Sequence, residues 1–233
     1  MKGNGAMSGI YAFSVWIMRF SSINILWFLI NLPIVFILIN ILYLKQMEYL
    51  IVLLIPLIVL LPGLFFPATT AMFASTRSWV INEDEQSLIK PYLRYFKENF
   101  KNSFLGGILV TGLWFILGID FYYFSEINSV LMYSFILFGV LLYVFTINFF
   151  STLVHYNMKL LSILKYTLLA TIGSPLLSFS VLISNGAIIY ISVTNFSFLI
   201  PFFTGSLIAF LSFSAFYRMF LNSIKKQSQD ADK

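Results

Sequence analysis

Cysteine is absent from the 233 residues, and histidine occurs once, at His155. Without cysteine the chain forms no disulfide, no thiolate metal site and no cysteine nucleophile. A single histidine also argues against a zinc site, which needs several nitrogen or sulfur ligands. We therefore expect neither a metal nor a cofactor.

Charge is scarce as well. Only 10% of the residues are charged, whereas 60% are hydrophobic and 19% are aromatic. Soluble domains are about a quarter charged, and a water-soluble fold could not bury this much apolar surface. The net charge of +5 comes from basic residues scattered between apolar stretches, which does not indicate a nucleic-acid partner. The composition predicts an all-α polytopic helix bundle whose solvent is membrane lipid.

The hydropathy pattern predicts one integral membrane domain over residues 1–233 with six transmembrane helices. The predicted spans are residues 22–44, 49–79, 103–124, 130–153, 176–193 and 198–220. The second span would be about 46 Å long as a helix, against ~30 Å of hydrocarbon. Prolines remove a backbone donor and clash with the preceding turn, so Pro62 and Pro67 predict a break or kink between them.

Two short amphipathic helices are predicted beside these spans. Residues 7–20 place apolar side chains at helical spacing, with Trp16 and Arg19 suited to the headgroup level. Residues 82–101 place an apolar side chain at every fourth position and basic residues between them. The apolar positions are Leu88, Tyr92, Phe96 and Phe100, and the basic ones are Lys90, Arg94, Lys97 and Lys101. This pattern predicts a basic helix lying on the membrane surface.

The basic residues also predict the orientation. Thirteen of the 14 Lys and Arg residues fall on one side of the six-span arrangement, and only Lys45 falls on the other. Because cytoplasmic segments carry the excess of Lys and Arg, this count predicts a multi-pass protein of the cell membrane with both termini in the cytoplasm.

The stretch LFFPATTAMFASTRSW at residues 64–79, followed by YFKENF at 95–100, resembles the YesL-like family of small bacterial membrane proteins. The likeness extends to further positions, namely Trp16, Arg19, Leu26, Trp27, Pro33, Lys165, Gly173 and Pro175. The family is multi-spanning, largely uncharacterised and found mainly in Gram-positive bacteria near genes for carbohydrate uptake. The resemblance therefore implies another membrane protein, such as a sugar importer, as a partner.

Arg77 and Trp79 belong to this motif, and with the four basic residues of 82–101 they are the candidate docking residues. The Arg77 guanidinium suits a lipid phosphate, a backbone carbonyl or the acids at 83–85, but an ordinary positive-inside anchor explains it equally well. In the preceding helix, Thr70 and Ala74, like Ala71 and Ser75, lie one turn apart, a spacing that permits close helix packing.

Polar residues within the spans are weaker candidates. Asp120 is either a functional intramembrane acid or a solvated interface residue, and His155 is either a proton relay or a headgroup-level residue. Five asparagines are expected to bond across helices or to line a polar path, namely Asn24, Asn31, Asn40, Asn148 and Asn185.

Three functions stay open at this point. The sequence shows no phosphate loop, paired carboxylates or nucleophile elbow, which disfavours a membrane enzyme. The favoured hypothesis is a non-enzymatic accessory protein that docks to itself or to another membrane protein through small-residue helix faces. The alternative is a small transporter of a polar solute, which should show a polar cavity near the midplane.

Overall fold

The structure is a computed structural model that describes residues 5–81 and 87–231, and every regular element within these two ranges is helical. Ten α-helices are present there: α1 Gly5–Ile30, α2 Leu32–Leu42, α3 Leu50–Leu60, α4 Phe66–Val80, α5 Ile89–Glu98, α6 Phe100–Ser125, α7 Ser129–His155, α8 Leu160–Gly173, α9 Pro175–Thr194 and α10 Gly205–Ala231. The predicted all-α class is confirmed for the described residues.

Within residues 5–81 and 87–231, six helical segments are long and apolar enough to cross a membrane. They are Met7–Ile30, Leu50–Val80, Phe100–Ser125, Ser129–His155, Pro175–Thr194 and Ile200–Lys226. The chain is therefore a multi-pass membrane protein built as a helix bundle.

The first segment differs from the prediction. Residues 7–20 do not form a separate interfacial helix, because α1 continues to Ile30 without a break. The interruption falls at Asn31 instead, and Pro33 follows in the first turn of α2. Proline cannot donate to the carbonyl four residues earlier, so the helix is interrupted at this position and not after Phe20.

The contacts of Arg19 indicate the level of α1 relative to the bundle. Its guanidinium carbon lies 5.3 Å from the ring centroid of Trp16 and 5.9 Å from that of Trp79. Because Trp79 lies one residue from the end of α4, Arg19 is level with that end. Further along α1, the Trp27 indole Nε1 donates to the Thr69 hydroxyl at 2.9 Å, so α1 and α4 run antiparallel.

The second predicted irregularity is a change of hydrogen bonding within a continuous helical path. A first π turn, Leu61–Phe65, joins α3 to α4 at the position of Pro62. A π turn carries one extra residue, which removes the strict i to i−4 pairing that proline interrupts. A second π turn, Ile200–Thr204, contains Pro201 and precedes α10. The sequence pattern had not indicated this second one.

Helix α4 lies at the centre of the bundle, with 13 of its 15 residues buried. Its small side chains allow neighbouring helices to approach, and the Thr70 hydroxyl lies 2.6 Å from that of Ser103 in α6. The predicted close packing at Thr70, Ala71, Ala74 and Ser75 thus occurs within this chain. These buried faces cannot dock a partner, so that part of the docking hypothesis is wrong.

One end of the bundle gathers the basic residues of several helices. Arg19 meets the end of α4, and the His155 ring at the end of α7 lies 4.3 Å from the Phe220 ring of α10, centroid to centroid. We call the end of the bundle that contains Arg19, the last turn of α4 and His155 the basic end. The sequence predicts it to be cytoplasmic.

Candidate functional site: the basic platform and the central cavity

Helix α5 is anchored to the bundle by the apolar stripe that was predicted to lie on the membrane. Leu88 and Phe96 pack against the core, and Tyr92 is completely buried. The Tyr92 hydroxyl donates to the backbone carbonyl of Ala68 in α4 at 2.9 Å. The prediction that this stripe contacts lipid is therefore wrong for Tyr92, whereas Leu88 and Phe96 are only partly buried against the core. Phe100 remains 39% exposed.

The four predicted docking cations are exposed on α5 and on the first turn of α6. Lys90, Arg94 and Lys97 lie in α5, and Lys101 lies in α6. Beside them run two exposed apolar side chains, Ile89 and Leu93. We call these six residues the platform.

Arg94 of the platform forms an ion pair with Glu98. Arg94 Nε lies 3.8 Å from Glu98 Oε1, and both side chains are more than half exposed. Such exposed pairs contribute little, because water screens them. The platform therefore stays a positively charged surface with an apolar edge.

Arg77 and Trp79, predicted as one docking unit, point to different neighbours. Trp79 is only 7% exposed and packs edge-on against Trp16 and Phe20, with ring centroids 6.1 and 5.7 Å away. Arg77 is half-buried and lies within electrostatic range of His155. Trp79 is thus an interior residue of the basic end and does not present itself for docking.

His155 lies in an aromatic cluster at the basic end. Its ring centroid is 4.7 Å from that of Tyr156 and 5.5 Å from that of Phe216, both edge-on. Within the described ranges, no group of three or more His, Asp or Glu side chains lies close enough to hold a metal ion. The surroundings of His155 are those of a packed residue.

The five asparagines divide into two groups. Asn148 donates to Thr171 in α8 at 3.1 Å, and Asn185 accepts from Ser212 in α10 at 3.2 Å, so both bond across helices as predicted. Asn31 and Asn40 donate to carbonyls of their own helical segments, so the prediction is wrong for these two.

Asn24 does more than join two helices. Its Nδ2 donates to the Ile200 carbonyl at 3.0 Å, and its Oδ1 accepts from the Ser206 backbone N–H at 2.9 Å. Both partners flank or belong to the second π turn. Sequence reasoning placed Asn24 among the bridging asparagines but had no signal for this turn except Pro201.

Asp120 is half-buried and faces a shallow groove of about 270 Å³ between α6 and α7. The other lining residues are apolar: Leu113, Ile116, Leu117, Phe135, Phe138 and Leu142. The structure does not bring Asp120 together with Asn31, Asn148 or His155, so these four polar candidates do not form a common path.

A central cavity of about 380 Å³ lies where the two π turns meet, with Leu61 and Phe65 from the first and Ile200 and Thr204 from the second. The sequence did not predict it. Its further lining comes from six helices: Trp27, Phe66, Thr69, Met72, Phe73, Trp114, Tyr143, Thr146, Ile147, Phe150, Ile189, Gly205 and Ile208.

The polar groups around this cavity are paired with one another. Trp27 donates to Thr69 at 2.9 Å and Trp114 donates to Thr146 at 3.2 Å, while the Thr204 hydroxyl lies 2.7 Å from that of Ser192. The cavity therefore presents mainly aromatic and aliphatic walls.

Residues 20–121 match the model of a family described as a protein of unknown function, DUF624. Three proteins of Bacillus subtilis (strain 168) are similar over most of their length. The chain is 25% identical to the uncharacterized protein YteU over 226 residues, which cover 95% of this chain and 89% of the relative. It is 27% identical to YesL, with 91% of each chain covered, and 30% identical to YesV, with 63% of this chain and 74% of the relative covered.

No solved structure matches the chain. The match of residues 20–121 and the three relatives confirm the resemblance indicated by the motif at residues 64–79. The chain belongs to the YesL-like DUF624 family of membrane proteins.

Proposed function

We propose that this protein is a non-enzymatic accessory protein of a bacterial carbohydrate-uptake system and that it docks to its partner through the platform. The observation that carries the docking proposal is the construction of α5, whose inner face is anchored in the core while its cations remain exposed. The carbohydrate-uptake setting is supported by the resemblance to the YesL-like family alone.

The anchoring of α5 favours docking because it fixes the geometry of the cations before a partner arrives. A buried aromatic side chain contributes roughly 1.5–3 kcal/mol, and Tyr92 adds a hydrogen bond to Ala68. A surface ordered in advance loses little conformational entropy on binding. The charges at Lys90, Arg94, Lys97 and Lys101 favour an acidic surface at the membrane boundary.

The central cavity supports the accessory function over transport of a polar solute. A polar solute must exchange its bonds to water for bonds to the protein, and unpaired polar groups in an apolar site cost several kcal/mol. The hydroxyls of Thr69, Thr146 and Thr204 are already engaged. Transport remains the alternative, because interrupted helices meeting at a cavity are typical of transporters.

The experiment replaces all four platform cations with glutamine in the full chain and quantifies co-purifying proteins after cross-linking in native membranes. The matched control replaces four cations outside the platform, Lys159, Lys165, Lys225 and Lys233, so both variants lose the same charge. We expect the platform variant to lose a component of a sugar importer and the control to retain it.

Correct insertion of both variants is checked by cysteine labelling at Lys45. An inserted platform variant that retained every partner and full activity in cells would reduce the platform to an orientation signal. Recovery of a partner unrelated to carbohydrate uptake would contradict that setting while leaving the docking surface in place.

A further inference from the structure

A groove of about 580 Å³ runs between α9 and the second half of α10, on different residues from the platform and the central cavity. It is lined by Ser174, Pro175, Leu176, Leu177, Ser180, Ser184, Leu211, Ser214, Ala215, Arg218, Met219, Asn222, Ser223 and Lys226.

The position of the groove follows from how the two helices are joined. Ser192 lies 2.7 Å from Thr204, hydroxyl to hydroxyl, and Ser212 donates to Asn185 at 3.2 Å. These pairs fix an antiparallel register and hold α9 against α10 in their inner part. The groove begins next to the second pair, at Ser184, and continues to the basic end.

The two ends of the groove differ in chemistry. The ammonium of Lys226 lies at the basic end, and the guanidinium of Arg218 lies about two helical turns further in, with the Asn222 amide between them in sequence. Neither cation forms an ion pair with a side chain in the part of the chain that the structure describes, and the lining contains no acidic residue. The described residues that line the groove therefore carry two positive charges and no negative one.

Towards the membrane interior the wall formed by α10 becomes apolar, with Leu211 and Ala215. Two serine hydroxyls in the groove are already hydrogen-bonded within α9. The Ser180 hydroxyl donates to the Leu176 carbonyl and the Ser184 hydroxyl donates to the Ser180 carbonyl, both at 2.7 Å. Neither hydroxyl therefore needs a hydrogen bond from a ligand. Leu176 is 81% exposed, so the groove opens sideways to the surroundings of the bundle.

The length of the groove corresponds to one leaflet. From Ser174 to Ser184 the helix rises about 15 Å, which is half of the ~30 Å hydrocarbon layer. A free phosphate ion would use only the charged end, whereas a phospholipid would place its phosphate between the cations and one acyl chain along the apolar wall. A groove with an open side also permits lateral entry from the bilayer.

We propose that this groove binds an anionic phospholipid of the leaflet at the basic end, with Arg218 and Lys226 holding the headgroup phosphate. The N-terminus of α9 adds to the positive electrostatic potential at this end of the groove. Ser174 makes no side-chain cap bond and Pro175 is the first helical residue, so the positive end of α9 lies at the same end of the groove.

The test measures lipid binding to the full-length protein in mild detergent by native mass spectrometry. Phosphatidylglycerol is compared with phosphatidylcholine of identical acyl chains. We expect phosphatidylglycerol to bind more tightly, and the double variant Arg218→Gln with Lys226→Gln to bind it about tenfold more weakly, because charge-assisted bonds to phosphate are lost. The matched control is Lys225→Gln with Lys159→Gln, which removes the same charge outside the groove and should bind like the wild type.

Two further measurements distinguish binding of a phospholipid from binding of a water-soluble phosphate. Ala215→Phe narrows the apolar part of the groove without changing its charge. It should weaken the binding of phosphatidylglycerol, whose acyl chain would lie there, and leave the binding of glycerol phosphate unaltered. Equal binding of both lipids, an equal loss in the control, or displacement by an equimolar amount of glycerol phosphate would overturn the proposal. A single monodisperse elution peak for each variant shows that the fold persists.

Discussion

The side-chain amide of Asn24 donates a 3.0 Å hydrogen bond to the backbone carbonyl of Ile200, 176 residues away in the chain. The same side chain accepts from the Ser206 N–H at 2.9 Å. A π turn containing a proline leaves backbone groups without their usual partners, which is costly where no water can replace them. Asn24 thus stabilises an irregular segment that lines the central cavity.

Replacing Asn24 with leucine should destabilise the protein markedly. Each buried backbone group left unpaired costs about 1–3 kcal/mol, and two groups lose their partner. The measurement is the unfolding temperature of purified protein in mild detergent. Asn40→Leu is the control, because Asn40 bonds only to Phe36 of its own helix and is exposed. Equal effects of the two substitutions would show that Asn24 has no special part in holding the turn.

Gly106→Ala should also destabilise, although alanine is the better helix former. A Cβ at Gly106 would collide with the ring of Phe149, and overpacking of this kind costs roughly 1–3 kcal/mol. Gly112→Ala on the same helix meets no atom within 4 Å and should be neutral or stabilising, by up to ~1 kcal/mol. Unfolding temperatures of the pair check this contrast. A stabilised Gly106→Ala would mean that α6 and α7 are not in close contact there.

Tyr92→Phe should loosen α5, because it removes the hydrogen bond to Ala68 while keeping the buried ring. We expect a loss of about 1 kcal/mol and faster amide exchange in α5. Tyr122→Phe, at a side chain that is 75% exposed, is the control. Unchanged exchange in α5 would contradict an anchoring role for the hydroxyl.

The same substitution predicts a change in alkaline sensitivity. Burial raises the pKa of Tyr92 above its ordinary value of about 10. Its contribution is therefore fully present below about pH 10 and is lost as the pH rises above that value, since only the unfolded chain then releases the proton. Relative to Tyr92→Phe, the wild type should lose stability progressively as the pH rises above about 10. Parallel curves for both proteins would contradict this.

The orientation can be tested cleanly because the chain lacks cysteine. Single cysteines at Lys45, Glu126 and Asn195 should react with an impermeant thiol reagent in intact cells. Cysteines at Lys90, Lys159 and Lys226 should react only after permeabilisation, and the reverse pattern at any pair of sites would overturn the predicted topology.

The depth of the first crossing is a separate prediction. Arg19 is level with the end of α4, so we expect the membrane-crossing part to be residues 22–44 and not Met7–Ile30. A cysteine at Phe36, which is 69% exposed, should then resist an impermeant reagent, because lipid surrounds it. Rapid labelling in intact cells would place α2 outside the hydrocarbon. Lys45→Cys serves as the reactive reference.

The sequence alone determined the membrane character of this protein and the number of helical segments long enough to cross a membrane, six among the described residues. These follow from local composition: an apolar run of about 20 residues crosses the hydrocarbon whatever its neighbours are. The motif at residues 64–79 likewise indicated the family, and Pro62 indicated the site of the first π turn.

Only the tertiary structure decided which helix faces are buried within the chain and which remain exposed to lipid or to a partner. The stripe of Leu88, Tyr92 and Phe96 suits a membrane surface and a protein core equally well, because both are apolar. In the structure it packs against the core, and Tyr92 bonds to Ala68 of α4. Asn24 contacts Ile200, and Arg218 lines one groove with the start of α9, through packing between distant parts of the chain. Helix period fixes the face on which a residue lies, but long-range packing fixes what that face touches.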